Sequence, residues 1–149
     1  MNCLGTQTSI LEISNKLEFM YNKNNKELFI PRQPKEIEIG NREYKINLDY
    51  SDKKKGVLRN ILNKKATQMN YRIIEGGGKA IYFIGLTDDG DCVGVDVRKM
   101  ILSLVYFKKI VELASAEYSK IRMYRGSDGY IATIRVSKIF KNKPFLLEI

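Results

Sequence analysis

At Gly76-Gly77-Gly78 the apolar residues of this 149-residue chain change their period. Upstream, Leu58, Leu62, Ala66, Met69 and Ile73 recur at steps of four, four, three and four. That spacing gathers them on one stripe of a helix. Downstream, residues 80–86 (AIYFIGL) form a short unbroken apolar run between turn signals, the pattern of a buried strand. The three glycines end the helix. A helix that feeds a buried strand already requires a fold with both kinds of element.

The remaining pattern extends this frame. The helix is predicted over residues 52–74 with Ser51 as its N-cap. Its face away from the stripe carries Lys53, Asn60, Lys64 and Tyr71, with Arg59 and Arg72 at the margins. Asp88-Asp89-Gly90-Asp91 turns the chain, and residues 92–95 are expected to return as a second strand. Asp96 is the expected N-cap of a second helix reaching about Tyr118. There Met100, Leu104, Phe107, Val111, Ala114 and Tyr118 share a face, which Leu102, Tyr106, Ile110 and Leu113 widen. Residues 121–125 and 130–136 flank Gly126-Ser127-Asp128-Gly129, a four-residue hairpin loop. Register through that loop places Lys120, Arg122 and Tyr124 on one face with Ile131, Thr133 and Arg135. Ile121, Met123, Ala132 and Ile134 then point to the core.

Toward the start, Glu36-Ile37-Glu38-Ile39 alternates, Gly40-Asn41 reads as a tight turn, and residues 44–48 alternate again. This is a hairpin signal. Pro31 and Pro34 mark an extended connector before it. Ile10, Leu11, Ile13, Leu17 and Phe19 suit a short helix or an adhering arm, and residues 145–149 suit an edge strand. The expected fold is α+β: a mixed or antiparallel sheet with two main helices packed on it, plus an N-terminal hairpin or arm. Residues 1–50 form the arm and hairpin, and residues 51–149 a compact domain, all in one folding unit.

Composition narrows the chemistry. The chain has no histidine, which excludes a Ser-His-Asp triad, a Cys-His nucleophile pair and any His-ligated metal. Its two cysteines, Cys3 and Cys92, are too few for a four-cysteine zinc site and suit a reducing compartment. The longest apolar runs, 80–86 and 100–107, are far short of a membrane span. Glu12 and Glu18 interrupt the first twenty residues, so no signal peptide is expected and the location is read as cytoplasmic.

The net charge is +9, and it is uneven. Residues 1–51 are neutral, 52–79 are net +6, 80–119 are net −2 and 120–149 are net +5. Two separate segments therefore supply the whole excess. Brought together by the fold, they would make one basic surface for an acidic partner, with RNA the first candidate. Left apart, they are solvated faces that confer solubility.

Three motifs bear on function. Gly76-Gly77-Gly78-Lys79 lacks the spacing of a GxxxxGK[ST] phosphate loop: Ile73 stands at the first glycine position and Ala80 where the hydroxyl belongs. The alternatives are a flexible turn, or bare amides that touch an RNA phosphate together with Lys79. Asp88-Asp89-Gly90-Asp91 has glycine in the third place and Lys99 in the twelfth, which breaks the calcium-loop pattern. A hairpin turn is the better reading, with a metal-dependent hydrolase site as the alternative. The third constellation interleaves cations with aromatics: Lys53, Lys54, Lys55, Arg59, Lys64, Lys65, Tyr71, Arg72, Lys79, Arg122, Tyr124 and Arg135. Lysine and arginine neutralise phosphates, while tyrosines stack on exposed bases. Ordinary packing of tyrosine on a sheet is the competing explanation.

One segment goes beyond composition. Gln68-Met69-Asn70-Tyr71-Arg72, then Glu75 through the glycines to Leu86, then Asp88-Asp89-Gly90 and Val93-Gly94, resembles the region ahead of the GTPase domain in the GTP-binding protein 1 and 2 family of translational GTPases. The helix over 100–113 and the strand Ala132-Thr133-Ile134-Arg135 continue the resemblance, which covers roughly residues 56–136. The departure is large. There is no phosphate loop and no NKxD motif, the nearest being Asn63-Lys64-Lys65-Ala66. GTP hydrolysis is therefore not carried over.

As a small basic chain it also looks like the microsporidian dormancy factors that bind inactive ribosomes. That resemblance implies a non-enzymatic hibernation factor that occupies a tRNA site, the exit site, and silences translation. The implied partners are ribosomal RNA and ribosomal proteins, with no cofactor, nucleotide, metal or membrane. A general RNA-binding adaptor acting on messenger or transfer RNA is the alternative.

Overall fold

Helix α1 (Lys55–Glu75) stops because the three glycines fold their amides back onto it. Gly76 N donates to Arg72 O, Gly77 N to Ile74 O and Gly78 N to Ile73 O. Gly77 and Gly78 hold φ of +67° and +112°, which only glycine adopts at little cost. These contacts come from a computed structural model that describes residues 30–139. Strand β1 (Arg42–Lys45) precedes α1, and β2 (Lys79–Ile84) follows it at once. Then come α2 (Val97–Leu113), β3 (Ala116–Arg125) and β4 (Tyr130–Lys138).

The four strands form one mixed sheet in the order β1-β2-β4-β3. Strands β1 and β2 run parallel, a pairing that the crossover through α1 makes possible. Strand β4 pairs antiparallel with both β2 and β3. Both helices pack on one face of the sheet. Leu62, Ala66, Met69 and Ile73 of α1 and Met100, Leu104, Phe107, Ile110 and Val111 of α2 meet Ala80, Tyr82, Ile84, Met123, Ala132, Ile134 and Val136. The α+β expectation, with two helices on a mixed sheet, holds.

The hairpin of β3 and β4 keeps the expected register. Arg122 pairs with Thr133, Met123 with Ala132, and Ile121 with Ile134. Asp96 caps α2 by accepting from Lys99 N at 2.8 Å.

Four expectations are corrected. The hairpin over 36–48 does not form; β1 stands alone there and its partner is β2. Helix α1 starts at Lys55 with Lys54 at the N-cap, because Ser51 spends both its hydroxyl and its amide on Asp49. Helix α2 ends at Leu113, not near Tyr118: Ser115 sits at φ +53° and Ala116 opens β3. Residues 92–95 make two isolated bridges, Leu86 to Cys92 and Val95 to Tyr130, rather than a strand. The expected arm or helix over 10–19 and the edge strand over 145–149 lie outside the described residues. Strand β1 and the buried Leu48, whose amide donates to Ser103 Oγ, share the sheet and core of residues 51–139.

Candidate nucleic-acid interface

Side chains alternate across a strand, so residues facing away from the helices form a second surface. Register fixes which they are. Arg42 pairs with Ile81 and Tyr44 with Phe83 between β1 and β2. Ile81 pairs with Arg135 and Phe83 with Thr133 between β2 and β4. Arg122 pairs with Thr133 and Tyr124 with Ile131 between β4 and β3.

Strand β3 breaks register between Tyr118 and Ile121. Ser119 and Lys120 both stand opposite Arg135 there, a bulge that adds a cation to this face. The result is a groove of about 470 Å³ lined by Ile30, Ile81, Phe83, Ser119, Lys120, Arg122, Tyr124, Thr133 and Arg135. Phe83 and Ile81 form the floor. Arg42 lies 4.8 Å over the Phe83 ring, and Tyr44 meets that ring edge-on at 5.3 Å.

The connector walls the groove on the β1 side. Ile30 packs with Tyr44, Phe83, Leu86 and Ile131. Gln33 N donates to Gly90 O, Glu36 N to Asp88 O, and the Tyr44 hydroxyl to Pro34 O. Gly90 is obligatory at this crossing, because a Cβ there would lie 2.0 Å from Gln33 O. Arg32 pairs with Asp91 at 3.3 Å. The acidic turn is thus the seat of the connector, and among the described residues no cluster of three acidic or thiol groups converges as a metal site.

Among the described residues the groove's cations have no counter-charge. Lys120, Arg122 and Arg135 are exposed, and none pairs with a carboxylate among the described residues. Like charges placed across strands repel. The fold concentrates that repulsion beside an apolar floor.

The structure keeps most of the first basic segment away from the second; only Lys79, on the Ile81 and Phe83 side of β2, shares the groove's face. Helix α1 packs on the other face of the sheet, so its exposed Lys55, Arg59 and Lys64 belong to the opposite layer, with exposed Lys53 and Lys54 leading into it. Tyr71 is also exposed on α1. Lys65 is half-buried beside Lys45, and burial together with that second ammonium holds it below the usual lysine range. Burial alone would lower Lys45, but the Glu43 carboxylate 3.0 Å away wins and raises it. Lys79 is exposed at the start of β2.

Arg72 is the clear departure. It is 6% exposed and forms an ion pair with buried Glu43 at 2.8 Å. Its remaining donors reach Ile37 O, Glu38 O and Gly40 O. A guanidinium committed to four oxygens inside the protein is a clamp on the 36–41 segment, not a phosphate ligand. The glycine loop is corrected likewise: its amides close α1, so none is bare for a phosphate.

Sequence reasoning missed Ile81, Phe83, Ile30 and Ser119 in the groove. Alternate positions of AIYFIGL carried the signal for the first two. The bulge and the connector depend on partners distant in sequence and left no local mark.

Comparison with known proteins gives partial matches. The chain is 33% identical to GTP-binding protein 2 of Homo sapiens and of Mus musculus over 121 residues, covering 78% of this chain and 19% of each of those proteins. It is 31% identical over 96 residues to an uncharacterized protein of Acanthamoeba polyphaga mimivirus, covering 64% of this chain and 48% of that protein. The chain therefore spans about a fifth of GTP-binding protein 2. No protein-family model and no solved structure matches it. No helix among the described residues is long and apolar enough to cross a membrane.

Proposed function

We propose that the chain is a non-enzymatic ribosome-binding factor that occupies a transfer-RNA site, the exit site, and silences translation as a dormancy factor. The observation that carries this reading is the groove: Lys120, Arg122 and Arg135, without counter-charge among the described residues, beside an apolar floor and the partly exposed Tyr124. Phosphate neutralisation by such cations positions a protein on RNA, and exposed rings accept bases. Similarity to a segment of GTP-binding protein 2 supports a role beside that class of protein. The chain carries no phosphate loop and no NKxD motif, so occupancy of a site, not nucleotide hydrolysis, is the proposed mode of action. No cofactor enters the mechanism.

Sedimentation of cell extract tests it. At low salt the protein is expected in the ribosome fractions, and Arg122→Glu with Arg135→Glu is expected to release it. Raising salt a few-fold should weaken binding steeply, since each phosphate contact contributes about 0.7–0.9 to the slope of log K against log salt. A protein wholly free of ribosomes at low salt overturns the reading. RNA crosslinks dominated by messenger or transfer RNA would instead establish the general adaptor, which the same groove also suits.

A further inference from the structure

We propose that the groove on the helix-free face of the sheet takes one unpaired nucleotide of an RNA strand, its base against Tyr124 and its flanking phosphates against Arg122, Arg135 and Lys120. This rests on the reading that the chain binds RNA, and it names what part of the RNA is held. The argument starts from shape. A groove of about 470 Å³ lies within the roughly 300–1,000 Å³ range of pockets that enclose small-molecule-sized groups. Its concavity suits a single nucleotide better than the broad face of a duplex.

Chemistry sorts its walls. Ile81 and Phe83 make the floor apolar, and Ile30 lines the groove while packing on the cluster of Tyr44, Phe83, Leu86 and Ile131. Phe83 is nearly covered, with Arg42 and Tyr44 already against its ring. Tyr124 is only partly buried and borders the groove, so it is the ring with a face to offer. A paired base hides its faces in the stack, whereas an unpaired base presents one. The cations occupy one rim. Arg122 and Arg135 come from neighbouring strands, and the β3 bulge brings Lys120 opposite Arg135. Three like charges so placed repel until an anion sits between them. A phosphate on that rim and a base on the apolar side are joined by a sugar, which is the outline of a nucleotide. Ser119 and Thr133 supply hydroxyls beside it.

Fluorescence anisotropy with the full chain and a labelled single-stranded RNA pentamer tests this. Three comparisons are made: the same pentamer in a duplex, the pentamer with its central base removed, and free nucleoside monophosphate. Binding of the intact pentamer is expected to exceed that of the abasic one by about 5- to 150-fold, the range corresponding to stacking of one base. Tyr124→Ala should lose a similar factor without changing the salt slope, and Tyr124→Phe should retain binding. Arg122→Ala should lower the slope by about 0.7. Weak binding of the free monophosphate identifies the strand as the source of the nucleotide; tight binding of it, exceeding the pentamer, shows a small-molecule site and overturns the proposal. Equal binding of intact and abasic pentamers by the wild-type protein overturns it too, whatever the folding of any variant. If that happens while the protein still sediments with ribosomes, the ribosomal reading stands and only the nucleotide site falls.

Discussion

Replacing Arg72 by methionine should cost stability, not RNA affinity. The guanidinium donates from Nε to Glu43 Oε1 at 2.8 Å, from Nη1 to Gly40 O at 3.0 Å and from Nη2 to Ile37 O at 3.1 Å. Methionine fills much of the space but leaves a carboxylate that is 1% exposed with Lys45 as its remaining ion-pair partner. Removing one member of a buried pair costs about 3–5 kcal/mol, because the other charge stays desolvated. Lys45 still reaches Glu43, so the lower end, about 3 kcal/mol, is expected. Domains are stable by about 5–15 kcal/mol, so this is a large fraction. With a urea slope of about 1–3 kcal/mol per molar, the unfolding midpoint should fall by roughly 1–3 M. The double change Arg72→Met with Glu43→Gln should recover only part of the loss, since it removes the buried unpaired carboxylate but leaves Lys45 without its partner. A loss below about 1 kcal/mol would refute the clamp, given that a buried pair broken on one side should cost several times that. So would unchanged stability with weakened RNA binding, which would return Arg72 to the RNA-contacting set.

Three further outcomes are expected. Hydrogen bonds from the Ser51 hydroxyl and amide, with Lys99 behind them, hold the Asp49 carboxyl below its ordinary range. Folded Asp49 therefore binds fewer protons than unfolded Asp49, and its contribution is present above the ordinary carboxylate pKa and lost as pH falls through the lowered one. Urea titrations at pH 6 and pH 3 should show a larger drop for the wild type than for Asp49→Asn; equal drops would remove that linkage. Gly94→Ala should destabilise by roughly 1–3 kcal/mol, because φ is +88° and the new Cβ would lie 2.4 Å from the Gly129 carbonyl carbon. Gly56→Ala should stabilise by about 0.4–1 kcal/mol, since nothing lies within 4 Å of its Cβ position in the first turn of α1. Thermal melts of both variants check the pair, and a stabilised Gly94→Ala would contradict the packing.

Local periodicity carried most of the fold. The stripe from Leu58 to Ile73 and the apolar face of α2 meet across the core, as their spacing requires. The register of β3 on β4 follows from a four-residue loop, which leaves few alternatives. What failed depends on partners far along the chain. The alternation of residues 36–39 mimics a strand, yet the carbonyls of Ile37, Glu38 and Gly40 are taken by Arg72 of α1. Glu36 accepts from Tyr44 N, and burial raises its carboxyl above the ordinary range despite that bond. Ile37 and Ile39 remain exposed, so the alternation there does not mark a buried face. For the candidate site, Arg122, Tyr124 and Arg135 were legible from pattern and loop length. Arg72 was not, because a cation at the margin of a helical stripe faces either solvent or a buried carboxylate, and only the distant Glu43 decides which.

The place of β4 has a consequence for how the chain acquires its structure. It is the last strand among the described residues, yet it lies second from the edge, between β2 and β3. Ala80 waits for Val136 and Ile84 for Ala132 before β2 gains its antiparallel neighbour. Such distant pairings slow the search for the native state relative to local ones. During synthesis, β1, α1 and β2 emerge first as a unit whose inner strand edge is open. The hairpin then acts as a zip fastener: once Gly126 and Gly129 close the turn, β4 arrives with β3 already alongside and seals that edge. The same event assembles the groove, whose cations all stand on these last two strands. The proposed RNA binding is therefore expected to appear only when folding is complete, so an unfinished chain would carry the charge without the site.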